Sequence, residues 1–316
     1  MDFNALCPGC GALIYANPDN SENACPKCDE RFNTRSACRA FEEMYPTKGE
    51  REEINPADFD ISSDGTLKKY LGKGGDVYIP EGVKSIAKEA FFRCESPTSV
   101  VIPEGVVSIG ESAFLACKSL WSVYIPKSVT KIENYAFSAC DQLASIVIDK
   151  DNPFYRSAGS CVIELSTKSV ISGCNASILP VGCGVEKIGD GAFATRKQLD
   201  FASIPEGVTE IGEYAFSACE GLERLVIADS VRKIGEYAFR ACGSLSSVVI
   251  PEGVTIIGNG AFAFCKKLSS VTLPQSVRTI GRYAFSDCPS LASVIVPKGA
   301  KIDPAAFDKT TKINKK

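Results

Sequence analysis

Apolar positions recur along most of this chain in one fixed pattern. In the stretch from Leu245 to Cys265 they fall at Leu245, Val248, Ile250, Val254, Ile257, Ala261, Phe262 and Cys265, separated by polar residues, Pro and Gly. Ser247-Val248-Val249-Ile250 alternates and is rich in β-branched residues, which predicts a short strand. Pro251-Glu252-Gly253 stops that strand and turns the chain. Val254 to Ile257 predicts a second short strand, Gly258 another turn, and Ala261-Phe262 through Cys265 one tight helical turn. Leu268 then leads into the next strand. One such unit cannot bury these residues alone. Units stacked at the strand spacing of ~4.8 Å would share one continuous core.

The period is marked by Ala-Phe-x-x-Cys. Its Phe falls at Phe91, Phe114 and Phe137, then at Phe193, Phe216, Phe239, Phe262 and Phe285, each 23 residues apart within a run; Phe307 comes one residue sooner. Between Phe137 and Phe193 lies a repeat enlarged by about ten residues, at about 150–180, which predicts an insertion on a solenoid of about nine turns. The expected fold is therefore a mainly β repeat solenoid with short helical turns, over residues 59–308.

These residues resemble the BspA-like leucine-rich repeat, Cys-x-x-Leu-x-x-Ile-x-Ile-Pro-x-x-Val-x-x-Ile-Gly-x-x-Ala-Phe. The resemblance covers about residues 59–308. It implies that Phe59 to Tyr70 forms a leading hairpin, with Asp64-Gly65 as a type I′ turn candidate. It also implies that Asn152 through Cys174 is an inserted hairpin, with arms at Val162-Ile163 and Val170-Ile171 and a turn near Ser166-Thr167-Lys168. Exported members of this family act at surfaces, so an adhesin or host-interaction role stands beside an interaction scaffold.

Residues 1–36 follow a different pattern. Cys7-Pro-Gly-Cys10 and Cys25-Pro-Lys-Cys28 are two Cys-x-x-Cys knuckles. Two thiolates on each of two tight turns make a tetrahedral sulfur set suited to Zn²⁺. Leu13-Ile14-Tyr15 predicts a strand after the first knuckle, and Arg31-Phe32 follows the second. This resembles a zinc ribbon. Four protein ligands leave no open position, so the expected zinc is structural. A rubredoxin-like iron site is the alternative. Residues 37–58 read as a linker, with a short helix expected from Cys38 toward Tyr45. Residues 309–316 read as a frayed basic tail.

Strand positions between the inward ones point to an open face. One column there is mostly Ser; the other is apolar or aromatic. The candidate partner-binding residues are Tyr78, Val101, Trp121, Tyr124, Val147, Phe201, Arg224, Val226, Val249, Thr272 and Ile295. An almost uncharged exposed face marks a contact surface; β-propensity acting on repeats of common ancestry would produce it too. Tyr135, Tyr214, Tyr237 and Tyr283 form a further stripe, readable as a binding face or as the cover of one edge.

Composition removes several chemistries. The chain has 316 residues, 15 cysteines and no histidine. Without His there is no Ser-His-Asp or Cys-His system, and carboxylates show no convergent pair. The expectation is a protein that is not an enzyme. Cys94, Cys117, Cys140, Cys219, Cys242, Cys265 and Cys288 occupy one repeat position, as buried packers or as a redox or metal ladder. Cys161 and Cys174 are a candidate pair across the inserted hairpin. Residues 1–60 carry 6 basic and 12 acidic side chains, and the formal net charge of the whole is -3. That balance disfavours nucleic acid as partner and leaves a protein partner. No apolar run approaches a membrane span. No basic and apolar leader is visible, so a cytoplasmic location with reduced thiols is expected.

Overall fold

The computed structural model describes residues 54–175, Leu179 and 184–316, together with the backbone strands Phe3–Leu6, Leu13–Ala16, Asn23–Ala24 and Arg31–Phe32. The chain divides into two compact units, one holding residues 1–165 and 173–177, the other residues 166–172 and 178–316.

Each unit is a stretch of β-solenoid built from the repeat predicted above. In the first, the longer strands Gly75–Tyr78, Pro97–Val101, Ser122–Ile125 and Ser145–Ile148 form one parallel sheet. The two-residue strands Ser85–Ile86, Ser108–Ile109 and Lys131–Ile132 form a second. The other unit is built from the same repeat. Its longer strands fall in two parallel sheets, Phe201–Ile204 with Arg224–Ile227, and Ser247–Val249 with Ser270–Thr272 and Ser293–Val296, while short strands run from Lys187–Ile188 to Lys301–Ile302. Register is in phase with the repeat: Ser247 pairs with Ser270, and Val248 with Val271. Every predicted inward position of the Leu245–Cys265 unit is buried. Alternation along the strands sends Val248 inward and Val249 outward, as a two-residue period requires.

The expected helical turn differs. Among the described residues the only helix is the 3-10 turn Pro56–Asp58. In the Phe239 turn, Tyr237 and Ala241 have φ of 54° and 59°. These left-handed residues rotate alternate peptides sideways. The N–H groups of Tyr237, Phe239 and Ala241 then donate to Asn259 O, Ala261 O and Ala263 O of the next rung, at 2.8, 2.7 and 2.7 Å. Between them, Arg240 N and Cys242 N close the turn locally, donating to Tyr237 O and Phe239 O at 3.1 and 3.3 Å. Hydrogen bonds that a helix would spend within the segment instead tie successive rungs together.

At the start of the solenoid, Phe59–Ile61 pairs antiparallel with Thr66–Tyr70. The connection is not type I′, which needs a positive φ at both central residues. Only Gly65, at 85°, is left-handed, and Gly65 N donates to Ser62 O at 2.9 Å. Asp64 instead accepts from Ser62 Oγ at 2.6 Å and Thr66 N at 3.0 Å, which holds its carboxyl at about 2.

In the enlarged repeat the expected arms Val162-Ile163 and Val170-Ile171 fall in the strands Cys161–Glu164 and Ser169–Gly173, with the turn at 165–168 between them. Cys161–Glu164 also pairs antiparallel with Tyr155–Ala158 through a tight turn at Gly159-Ser160, a pairing beyond the expected hairpin. Ser169–Gly173 runs parallel to Lys187–Ile188. A further expectation is corrected. The tail is not frayed: Lys312–Lys315 is a strand paired with Ser293–Val296. Its Ile313 pairs with Val294 but stays 43% exposed, and its backbone fills the ladder that Ser293–Val296 would otherwise expose. The expected helix near Cys38 lies outside the described residues.

Candidate functional site

Outward positions form two columns on each longer sheet. In the second unit Phe201 pairs with Arg224 and Ser247 with Ser270, and together with Ser293 these hold one repeat position and form one column. Ser203, Val226, Val249, Thr272 and Ile295 form the other. Val226, Val249 and Ile295 are 52, 64 and 55% exposed. Arg224 lies over the Phe201 ring, 5.0 Å from its centroid, and closes one end of the Ser column. The face there is open, apolar along one line and hydroxyl-lined along the next. Sequence reasoning placed Phe201, Arg224, Val226, Val249, Thr272 and Ile295 on it, and the structure brings them together.

The first unit is different. Tyr78, Trp121 and Tyr124 are half-buried, while Val101 and Val147 are 9 and 1% exposed. The reading of Val101 and Val147 as open-face residues is therefore corrected. Tyr124 Oη donates to Asp149 Oδ2 at 2.8 Å; burial and that carboxylate push its phenol well above the usual range. Ser157 Oγ accepts from Ile148 N at 3.1 Å and donates to Ile146 O at 2.9 Å, so the inserted hairpin lies along the last strand of this sheet. Ser122 and Ser145 are buried with hydroxyls that make no hydrogen bond. Alternation put Tyr78, Val101, Ser122, Tyr124, Ser145 and Val147 on the outward face, but it carries no information about what packs on that face.

The repeated Phe rings stack. Phe216, Phe239, Phe262 and Phe285 have successive centroids 5.2, 5.1 and 5.3 Å apart. In the first unit Tyr70 opens the stack, 4.9 Å from Phe91. The cysteine position lies beside this stack. Cys117, Cys219, Cys242, Cys265 and Cys288 are buried thiols, and each Sγ donates to the carbonyl of the preceding rung's Phe at 3.0 to 3.2 Å. Burial pushes Cys219 and Cys288 up to about 12. A protonated, buried thiol is a poor nucleophile and a poor metal ligand. These five thiols therefore pack rather than react, while Cys94 at the same repeat position is half-buried. In the Phe193 turn this position holds Arg196, 1% exposed beside Cys219. Aligning the repeats would have revealed that exchange, and sequence reasoning passed over it.

Of the Tyr stripe, Tyr214 and Tyr237 stack at 5.0 Å. Gly260 takes the next place, and a Cβ there would sit 2.4 Å from the Tyr237 ring. Between Tyr214 and Tyr237 the stripe is a packed edge in which ring faces cover one another, while Tyr283 is exposed with Arg282 over its ring. A shallow recess lined by Phe264, Lys266, Asp287, Pro289, Asp308 and Thr310 is also accounted for. Both oxygens of Asp308 are taken by Asp287 N and Cys288 N, at 2.8 and 2.9 Å.

The four knuckle cysteines Cys7, Cys10, Cys25 and Cys28 lie outside the described residues, as do Cys38 and Cys183. Around them, Phe3–Leu6 pairs antiparallel with Leu13–Ala16, and Asn23–Ala24 with Arg31–Phe32. Each Cys-x-x-Cys thus falls in the connection of a hairpin. Among the described residues no group of three or more His, Cys, Asp or Glu is placed to hold a metal, and no helix is long and apolar enough to cross a membrane.

Parallel rungs of one longer and one short strand, a stacked Phe per rung and inward Leu, Val and Ile define a leucine-rich-repeat solenoid. The BspA-type leucine-rich repeat region matches residues 72–175 and 186–314 in six copies. The chain belongs to that family. No curated protein matches it. A leucine-rich repeat protein from Eubacterium ventriosum is similar in structure, with 23% identity over 81% of this chain and 93% of the other, and a TM-score of 0.52. A leucine rich cell surface protein from Faecalibacterium prausnitzii has 21% identity over 84% of this chain and 96% of its own, with a TM-score of 0.51. The pneumococcal vaccine antigen PcpA has 17% identity over 76% and 73%, with a TM-score of 0.61. At these identities the likeness is one of fold.

Proposed function

We propose that this chain is a non-enzymatic protein-interaction scaffold whose contact surface is the outward face of the longer strands in the second unit. The carrying observation is the exposed line of Val226, Val249 and Ile295 beside a column of serines. Exposed apolar lines of this kind lose water-contacting surface on binding, worth roughly 25 cal/mol per Å² before the costs of association. Affinity capture with the full chain tests it. Val249→Asp with Ile295→Asp should abolish recovery of the partner; undiminished recovery refutes the surface.

The same reading assigns Zn²⁺ to Cys7, Cys10, Cys25 and Cys28. Four thiolates on two hairpin connections suit a closed tetrahedral site, where zinc supplies folding energy and no reaction. Metal analysis should find about one zinc per chain, lost in Cys10→Ser; metal-free protein purified under reducing conditions refutes it. We place the protein in the cytoplasm, where the buried thiols of the ladder stay reduced. A surface adhesin is the second reading, favoured by the name of the cell surface protein from Faecalibacterium prausnitzii. Fractionation of source cells separates the two: recovery only at the cell surface supports the adhesin.

A further inference from the structure

The proposed face has a spacing that selects among partners. The Phe rings of its rungs, Phe193 to Phe285, repeat every 4.8 to 5.3 Å, and neighbouring parallel strands lie about 4.7–4.9 Å apart. An α-helix advances about 5.4 Å per turn. A helix laid along the solenoid axis would therefore set about one side chain per turn against one rung, and across four rungs the drift stays under about 2 Å. An extended strand places same-side residues about 6.6–6.8 Å apart, and polyproline repeats at about 9.3 Å; both lose register within two rungs.

Relief on the face fits the same occupant. Val249, Thr272 and Ile295 make a ridge on paired rungs, Val226 holds the same repeat position one rung earlier, and Ser247, Ser270 and Ser293 leave a trough beside the ridge. Phe201, with Arg224 over its ring, ends that trough. On the far side of the ridge runs a rim of exposed carboxylates, Glu206, Asp229 and Glu252, each following the end of a longer strand. Arg232 is the cation within that rim; its Nη1 donates to Asp229 O at 2.6 Å. The rim stays acidic over three rungs, then passes to Gln275 and Lys298.

We propose that the second unit binds an amphipathic α-helix of a partner protein, aligned with the solenoid axis. The helix carries one apolar residue per turn toward the ridge, and Lys or Arg along the flank that meets Glu206, Asp229 and Glu252. This rests on the outward face being the contact surface.

The test selects peptides on the full chain from two displayed libraries, one randomised on a helical scaffold and one linear with a central Pro. Each pool is counter-selected on the Val249→Asp, Ile295→Asp variant. Enriched helical clones should show apolar residues at i, i+3 or i+4, and i+7, with basic residues on one flank. A synthetic consensus peptide should bind at least about tenfold more weakly to that variant, and about as much more weakly to Glu206→Lys, Glu252→Lys. Its Lys-to-Glu counterpart should lose similar affinity for the unaltered chain. Enrichment of linear clones alone, still dependent on Val249, would overturn the helix and leave the surface standing. Helical clones indifferent to the rim would overturn the basic flank. No clone dependent on Val249 would overturn helix and surface together.

Discussion

A single Phe does three jobs in each rung. Phe239 fills the core, stacks on Phe216 and Phe262, and offers its carbonyl to the Cys265 thiol at 3.2 Å. Phe239→Ala leaves a cavity that neighbouring rungs cannot close without breaking their own register. It should destabilise the fold by about 3–5 kcal/mol, seen as a lower denaturant midpoint. The thiols give a pH signature. An unfolded Cys titrates near 9, and Cys219 and Cys288 in the native state near 12. Between those values the native chain keeps protons that the unfolded chain has released. The stability this confers is present below pH 9 and is lost as pH rises toward 12. Thermal melts from pH 8 to 11 should show that decline, and it should shrink in Cys219→Ala, Cys288→Ala. Aromatic disulfide reagents should leave both thiols unmodified at pH 8 until the chain is unfolded.

At the level of the element, the left-handed turn explains why Tyr tolerates a φ of 54° at Tyr214 and Tyr237. Each such residue costs roughly 1–2 kcal/mol of backbone strain. A ladder bond to the next rung and the Tyr stack offset it. The inserted hairpin is held by side chains that supply what a regular rung's backbone would. Asn152 Nδ2 donates to Pro126 O and Val129 O at 2.9 and 3.0 Å, and its Oδ1 accepts from Phe154 N and Tyr155 N at 2.9 Å each. Tyr155 Oη accepts from Ile132 N at 2.9 Å. Asn152→Ala would strand several buried backbone groups and should cost at least about 2 kcal/mol. Native-state hydrogen exchange should locate the loosening at residues 129–158 and leave Phe239 and its neighbours protected.

Over the whole molecule, the predictions separate folding from binding. Val249→Asp with Ile295→Asp puts charge on a face already in water, so it should move the unfolding midpoint little while removing partner capture. Trp121 is the only Trp and sits half-buried in the first unit, so its emission should not change in that variant. Chelation under reducing conditions should release the proposed zinc and abolish its stoichiometry while the solenoid's far-ultraviolet signal persists, because the ladder thiols are committed to carbonyls. Loss of the solenoid signal on chelation would show that the proposed site supports more than residues 1–36.

Much of this was legible in the residues. Val248 and Val249 reveal inside and outside by alternation, and Phe239 and Phe262 reveal the period. The two knuckles carry their chemistry in their spacing. Three features were not legible. Helix-like spacing at Ala261-Phe262-x-x-Cys265 hid a left-handed turn, because apolar period does not report where peptide N–H groups point. The polar tail at Lys312–Lys315 proved to be a strand, because an open ladder at Ser293–Val296 outweighs weak local propensity. Val147 and Val249 read alike in sequence, yet one is buried and the other exposed. The sequence by itself determined the rung, because a rung's core contacts come from the same positions in its neighbours. Only tertiary structure decided which rungs keep an open face, because that depends on what distant segments lay against each one.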